Sequence, residues 1–214
     1  MLRHNCHGKT EMWYVVDAEP NAQIHAGFNR DITFDEYKAM IADGSLIDVV
    51  NCFHPKVGEI FLIEPGTVHA IGAGNLLIEV QQTSDITYRI FDYNRRDKNG
   101  RLRELHISQA CDAINYAADP NIQLAPTEIS GDTELFVNCS CFNVKKTDIT
   151  GSKTIDVSAR DCFTILMSID ADFSITAGGQ TETLARGHAI LVAAFVNSVI
   201  IAGNGKLLIV TMPE

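Results

Sequence analysis

A chain of 214 residues can bury one large hydrophobic core or two small ones, and 46% hydrophobic with 21% charged residues is ordinary for a globular protein. No apolar run reaches the roughly 20 residues that span a bilayer and no signal peptide opens the chain, so a cytoplasmic protein is expected. A net charge of −10 argues against nucleic acid or an anionic membrane as a partner.

In chain order, Glu11 to Val16 reads as a short strand carrying Trp13 and Tyr14, and Ala22 to Ala26 as a second extended piece ending at Gly27. Thr33-Phe-Asp-Glu36 has the form of a capping box, with Tyr37, Met40 and Ile41 at helical spacing and Gly44 as the stop. Leu46 to Val50 is a further short helical turn. Ile60 to Ile63 then runs into the turn Glu64-Pro65-Gly66, and Leu76 to Val80 returns, which predicts a hairpin presenting His69 just past its corner. A strand near Ile86 to Phe91 leads into a basic loop. His106 to Ala117, with Ile107, Ala110, Cys111 and Ile114 on one face, predicts a second amphipathic helix, ended by Asp119-Pro120.

From Leu124 helical signals vanish. Phe136 to Val144, Lys153 to Val157, Phe163 to Ile169, Phe173 to Thr176, His188 to Val192, Val199 to Ile201 and Leu207 to Thr211 read as strands of a sandwich or barrel. Cys139 and Cys141 alternate within the first of these as small buried side chains, and all six cysteines read as reduced thiols. The two parts also resemble each other internally. Gly187-His-Ala-Ile-Leu-Val and Gly203-Asn204 match Gly58-Glu-Ile-Phe-Leu-Ile and Gly74-Asn75, with 16 residues from glycine to glycine in both. In that register Thr164 stands where Glu11 stands, and Ser198 where His69 stands.

His69 and Glu11 are a candidate metal pair, since imidazole and carboxylate suit zinc or another divalent first-row metal. Spacing alone leaves open a hydrogen-bonded structural histidine. His4, His7 and His25 are further candidate ligands without a named partner, and His54, His106 and His188 read as surface, capping or scaffold residues. Glu79 alternates with apolar neighbours and is either a general base in the same cavity or an ordinary paired strand carboxylate. Lys9 shares the strand face of Glu11 and could hold an anion. Arg89, Arg95, Arg96, Lys98, Arg101 and Arg103 supply six of the chain's 17 Lys and Arg within 15 residues. Such an island is either a solvated turn or an anion site fit for a phosphorylated small molecule.

Gly8-Lys-Thr-Glu11-Met-Trp-Tyr14, Pro65-Gly-Thr-Val-His69-Ala-Ile-Gly, Glu79-Val-Gln-Gln82-x-Ser-Asp-x-Thr-Tyr-Arg89, Asp92-Tyr-Asn-Arg95 and Arg103-Glu-Leu-His106 follow one another in order. Together they closely resemble the type I mannose-6-phosphate isomerases of the cupin superfamily. The motifs lie within residues 4 to 118, and Glu64-Pro65-Gly66 replaces the family's more usual Pro-Ala-Gly. The resemblance implies a mainly β chain of two cupin-like (jelly-roll) barrel halves, residues 1–120 catalytic with short helices attached and residues 121–214 without metal ligands. It implies Zn²⁺ held by Glu11 and His69, Arg89 as catalytic arginine, Glu79 in proton transfer, and Lys9 and Arg95 at the substrate. The reaction implied is an aldose–ketose isomerisation of mannose 6-phosphate and fructose 6-phosphate through a metal-stabilised enediol.

The family's upstream segment, with a Gln-Val-His motif supplying two further zinc ligands, has no counterpart in Met1 to His7. This leaves an expected open sheet edge, through which the chain could pair with another copy. Two rival readings stand beside the isomerase: a non-catalytic sugar-phosphate-binding cupin, and a metal-dependent cupin enzyme for another sugar phosphate.

Overall fold

The computed structural model describes residues 8–92, 95–159 and 161–213. It divides into two compact units, residues 1–124 and 125–214.

The first unit begins with β1 (Glu11–Ala18), followed by β2 (Ile24–Phe28) and helix α1 (Phe34–Asp43). The predicted capping box forms: the Thr33 hydroxyl accepts from Glu36 N–H and the Glu36 carboxylate from Thr33 N–H. Gly44 stops α1 with a φ of 82°, and a 3₁₀ turn follows over Ser45–Val49. Then come β3 (Val50–Phe53), β4 (Ile60–Ile63), β5 (His69–Ile71), β6 (Asn75–Gln81), α2 (Ile107–Cys111) and β7 (Gln123–Leu124).

Two sheets result, one ordered β6-β1-β4-β7 and one ordered β3-β2-β5. They corner a core of Trp13, Val15, Ile24, Ala26, Phe61, Ile63 and Ile122. A second core of Phe28, Ile32, Tyr37, Leu46, Val49 and Val50 seats α1.

Three expectations change here. The predicted hairpin does not form: β1 lies between β4 and β6, and His69 starts a separate strand paired with β2. The two apolar runs satisfy their backbones on either side of Glu11's strand rather than on each other. Ile86 to Phe91 is not a strand; its backbone is tied instead to His106, whose N–H donates to Arg89 O and whose Nδ1 accepts from Arg89 N–H. The second helix stops at Cys111, because Asn115 N–H leaves the helical ladder to donate to Gly66 O.

The second unit comprises β8 (Thr127–Ser130), β9 (Thr133–Asn138), β10 (Asn143–Asp156), β11 (Thr164–Ser168), β12 (Phe173–Ala177), β13 (Gln180–Leu184), β14 (Ala189–Val192) and β15 (Ser198–Thr211). Their core is apolar, with Phe173 among the aliphatic Leu166, Ile175, Leu184, Ile201 and Leu207. Two strands, β10 and β15, are longer than read from sequence. Val199 to Ile201 and Leu207 to Thr211 are one strand, continuous because its ladder to β10 is unbroken, with glycine at 203 where a Cβ would lie 2.7 Å from the Phe173 ring. Conversely, Phe136 to Val144 is broken: Cys139 and Cys141 occupy a turn closed by Cys139 N–H to Phe142 O, and the described cysteines are free thiols. β13 was not anticipated, its sequence Gln-Thr-Glu-Thr-Leu being mostly polar.

The internal match holds in register. Glu11 pairs with Ile63 and Thr164 with Val192, each partner five residues beyond the matched glycine. The first half of β15 pairs with β12 as β5 pairs with β2, and its second half pairs with β11 as β6 pairs with β1.

β10 bends at Gly151, whose φ is 76°, so Lys153 Nζ reaches back to Thr147 Oγ1 at 2.9 Å and on to Asp132 Oδ2 at 2.7 Å. Hydrogen bonds from Lys153, Thr133 and Ser130 hold the Asp132 carboxyl down at about 2.

Two expected outcomes follow from this architecture. Gly66 sits at the third position of the Glu64–Thr67 turn with φ 96°, and a Cβ would meet Ala113 O at 2.7 Å. Gly66→Ala therefore costs about 1–3 kcal/mol in urea unfolding. Asp132 is ionised more readily folded than unfolded, so its contribution is complete above pH about 4 and is lost as pH falls toward about 2. Asp132→Asn narrows the difference between urea midpoints measured at pH 6 and pH 3.

Candidate active site

β1 alternates, so Lys9, Glu11, Trp13 and Val15 share one face. That face places a carboxylate on a barrel interior. Glu11 is 2% exposed and is met from several sides. Trp13 Nε1–H donates to Glu11 Oε2 at 3.1 Å, and Lys9 Nζ donates to Glu11 Oε1 at 2.6 Å. The same ammonium lies 3.2 Å from Glu79 Oε1, brought over by the pairing of β6 with β1.

His69 arrives from the other sheet. The Pro65-Gly66 turn and the bond from Gly27 N–H to Val68 O set the start of β5, and the ring stands edge-on to Trp13 at 5.4 Å between centroids. Nδ1 lies 2.8 Å from Thr67 O, which makes it the protonated nitrogen and leaves Nε2 with its lone pair, 3.9 Å from Glu11 Oε1. A histidine oriented by a backbone carbonyl through one nitrogen, with the other aimed at a carboxylate, is how metal ligands are held. The 3.9 Å gap is too long for a hydrogen bond and lies within the span of two bonds of about 2.0–2.2 Å to one zinc ion. These two donors thus fit half of a zinc site. Among the described residues, no group of three or more His, Cys, Asp or Glu is placed to hold a metal.

The electrostatics divide the roles. Burial alone would lower the Lys9 pKa, but the hydrogen bonds and charges of Glu11 and Glu79 outweigh it and raise the value, so Lys9 stays an ammonium. Burial, followed by the neighbouring Glu11, pushes the Glu79 carboxyl up. Glu79 thus has a raised proton affinity.

The arginines gather elsewhere in the same unit. Asp92 is buried, and its Oδ1 accepts from Arg95 and from Arg103 at 3.4 Å, with Arg89 Nε at 3.8 Å. Burial would raise the Asp92 pKa, but Arg95, Arg103 and Arg89 together hold it below the usual range. Asp92 Oδ2 is buried without a hydrogen bond. Three guanidiniums around one carboxylate leave an excess of positive charge. Arg89 is further fixed by donation from its guanidinium to Glu104 O at 3.3 Å.

Sequence reading named Lys9, Glu11, His69 and Glu79, and the fold brings all four together; Arg89 and Arg95 are gathered around Asp92. It missed Trp13 and Asp92 as organisers. The period-two pattern from Lys9 through Trp13 carried the first signal, whereas nothing local marks Asp92 as the hub of three arginines. His4 and His7 lie outside the described residues, and His25 keeps a buried Nδ1 without a hydrogen bond.

Comparison with known proteins bears directly on these motifs. Residues 132–212 match the family model "Mannose-6-phosphate isomerase, cupin domain". Mannose-6-phosphate isomerase ManA of Bacillus subtilis is 33% identical over 186 residues, which is 86% of this chain and 58% of that protein. The mannose-6-phosphate isomerase of Streptococcus mutans is 35% identical over the same shares. The crystal structure of the Bacillus subtilis mannose 6-phosphate isomerase superposes with a TM-score of 0.81 at 30% identity, covering 96% of this chain and 65% of that one. A mannose 6-phosphate isomerase crystallised with zinc and yttrium shares the fold at a TM-score of 0.70 and 15% identity, covering 96% and 67%. Among the described residues, no helix is long and apolar enough to cross a membrane. The mainly β, cupin-fold architecture and these relatives agree: the chain is similar to mannose-6-phosphate isomerases and spans about three-fifths of the length of the curated relatives it matches.

Proposed function

We propose that this chain carries the catalytic portion of a zinc-dependent isomerase interconverting mannose 6-phosphate and fructose 6-phosphate. Residues 1–120 would form the catalytic half and residues 121–214 a cupin-like half without metal ligands. The observation that carries the reading is the convergence of Glu11, His69, Lys9 and Glu79, in a unit that also holds an arginine cluster with surplus charge.

In this reading Glu11 and His69 hold the zinc, which when bound supplies Lewis-acid stabilisation of negative charge on an enediol. Glu79 takes the proton from the carbon next to the carbonyl and returns it to the neighbouring carbon, for which its raised proton affinity suits it. Lys9, kept charged, holds Glu79 and a substrate oxygen in place. Arg89 adds positive charge to the developing enediolate, and Arg95 with Arg103 receives the phosphate, a dianion suited to paired guanidiniums.

Across the second unit, β10 covers the whole length of β15, yet among the described residues no strand covers the matching edge of β6. That edge favours pairing with another chain. A second reading, a sugar-phosphate-binding module without catalysis, draws support from the donor count, since Glu11 and His69 make two of the roughly four ligands of a zinc site.

A coupled isomerisation assay with elemental analysis of the same sample separates the two. Turnover with near-stoichiometric zinc, both lost in His69→Ala, supports the isomerase; phosphate binding without turnover or zinc supports the module. Arg89→Ala is expected to lower kcat roughly 100-fold while leaving thermal stability nearly unchanged. Arg95→Ala is expected to raise KM for mannose 6-phosphate about tenfold, the scale of one charge-assisted contact of about 1.5 kcal/mol, with little change in kcat.

A further inference from the structure

The second unit, which retains neither Glu11 nor His69, holds a different set of polar groups on the concave side of bent β10. A cleft of about 270 Å³ is lined there by Thr133, Lys145, Thr147, Lys153, Asp156 and Ile209, among others. Lys145, Thr147 and Lys153 share the strand face that also carries the core residue Ile149, and the bend at Gly151 turns the two lysines toward one space.

The two lysines differ in state. Lys153 has all three of its donors engaged, by Asp132 at 2.7 Å, Thr147 at 2.9 Å and Thr133 at 3.3 Å. It is a fixed charge. Lys145 lies half-buried between Leu135 and Ile209 on the neighbouring strands and has no ion pair among the described residues, whereas its neighbour Lys146 is paired with Glu134 at 2.8 Å. A half-buried ammonium without an ion pair loses hydration for little return, and a cleft wall is where such a group finds an anion from outside. Around it stand the Thr133 and Thr147 hydroxyls, 3.0 Å apart, and the Asp156 carboxylate, which already accepts from Ser158. Oxyanion-binding and hydroxyl-binding groups are thus side by side, over an aliphatic floor of Ile155 and Ile209.

We infer that this cleft is a second ligand site, for a small hydroxylated oxyanion such as a sugar phosphate or a sugar acid, anchored by Lys145. Lys153 and the two threonines provide the rigid wall against which the hydroxylated carbons rest. The inference does not rest on the isomerase reading, because it uses none of the residues of the first unit.

The test is a ¹⁵N NMR titration of the whole chain with glucose 6-phosphate and, separately, gluconate. Saturable shifts of the Thr133, Lys145 and Thr147 amides are expected with at least one of them, weakened at least tenfold in Lys145→Met and restored in Lys145→Arg. A response to glucose 6-phosphate alone assigns the site to phosphates, and one to gluconate alone assigns it to sugar acids. No shift at these amides with either ligand, or shifts that persist in Lys145→Met, overturns the proposal. Unchanged dispersion of the variant spectra separates lost binding from lost fold, and the readout is independent of turnover.

Discussion

A carboxylate on the inner face of a barrel strand must be answered by cations or donors, because burial without partners costs several kcal/mol. Glu11 is such a group, and much of the first unit can be understood as the means of answering it. β1 runs between β4 and β6, so that Glu79 and the Lys9 ammonium come from one side. The second sheet turns through Pro65-Gly66 to deliver His69 from the other. Trp13 contributes both the wall and an N–H to the same carboxylate. Had the two apolar runs formed the hairpin their sequence suggests, β1 would not lie between them and Glu11 would not be flanked by both strands.

The second unit shows what the same layout becomes without that demand. Thr164 occupies the Glu11 position, is equally buried, and needs only a hydroxyl's worth of hydrogen bonding. The interior there is apolar, and its polar groups gather along the concave face of bent β10, where Lys153 is answered by Asp132 and two threonines. Duplicated scaffolds with unlike interiors let one half specialise while the other keeps to packing and a different polar surface.

The scaffold was legible where side-chain period and turn chemistry agree. The capping box at Thr33, the stop at Gly44 and the strand from Glu11 all appear as the residues predict. The four-residue cluster was legible too, because motif order carried it. What could not be read was strand partnership. Apolar runs specify that a strand is buried, not which neighbour it takes, and Ile60–Ile63 is compatible with either β1 or β6. Helical spacing through Ala117 was likewise overruled by one tertiary bond, Asn115 to Gly66, and the apolar Ile86–Phe91 by its tie to His106. Gly203 and Gly205 look like turn residues in isolation; they lie within a long strand paired with β10, and are glycine because neighbours press against their backbone.

Lys9 carries a last consequence. Its ammonium touches both carboxylates of the cluster, so the chain brings along a cation of its own for the most charged corner of its interior. Assembly of the first barrel therefore need not wait for an ion from solution. The counter-charge sits two residues before Glu11 in the chain, so it is carried into the corner by the same stretch of backbone that brings the carboxylate.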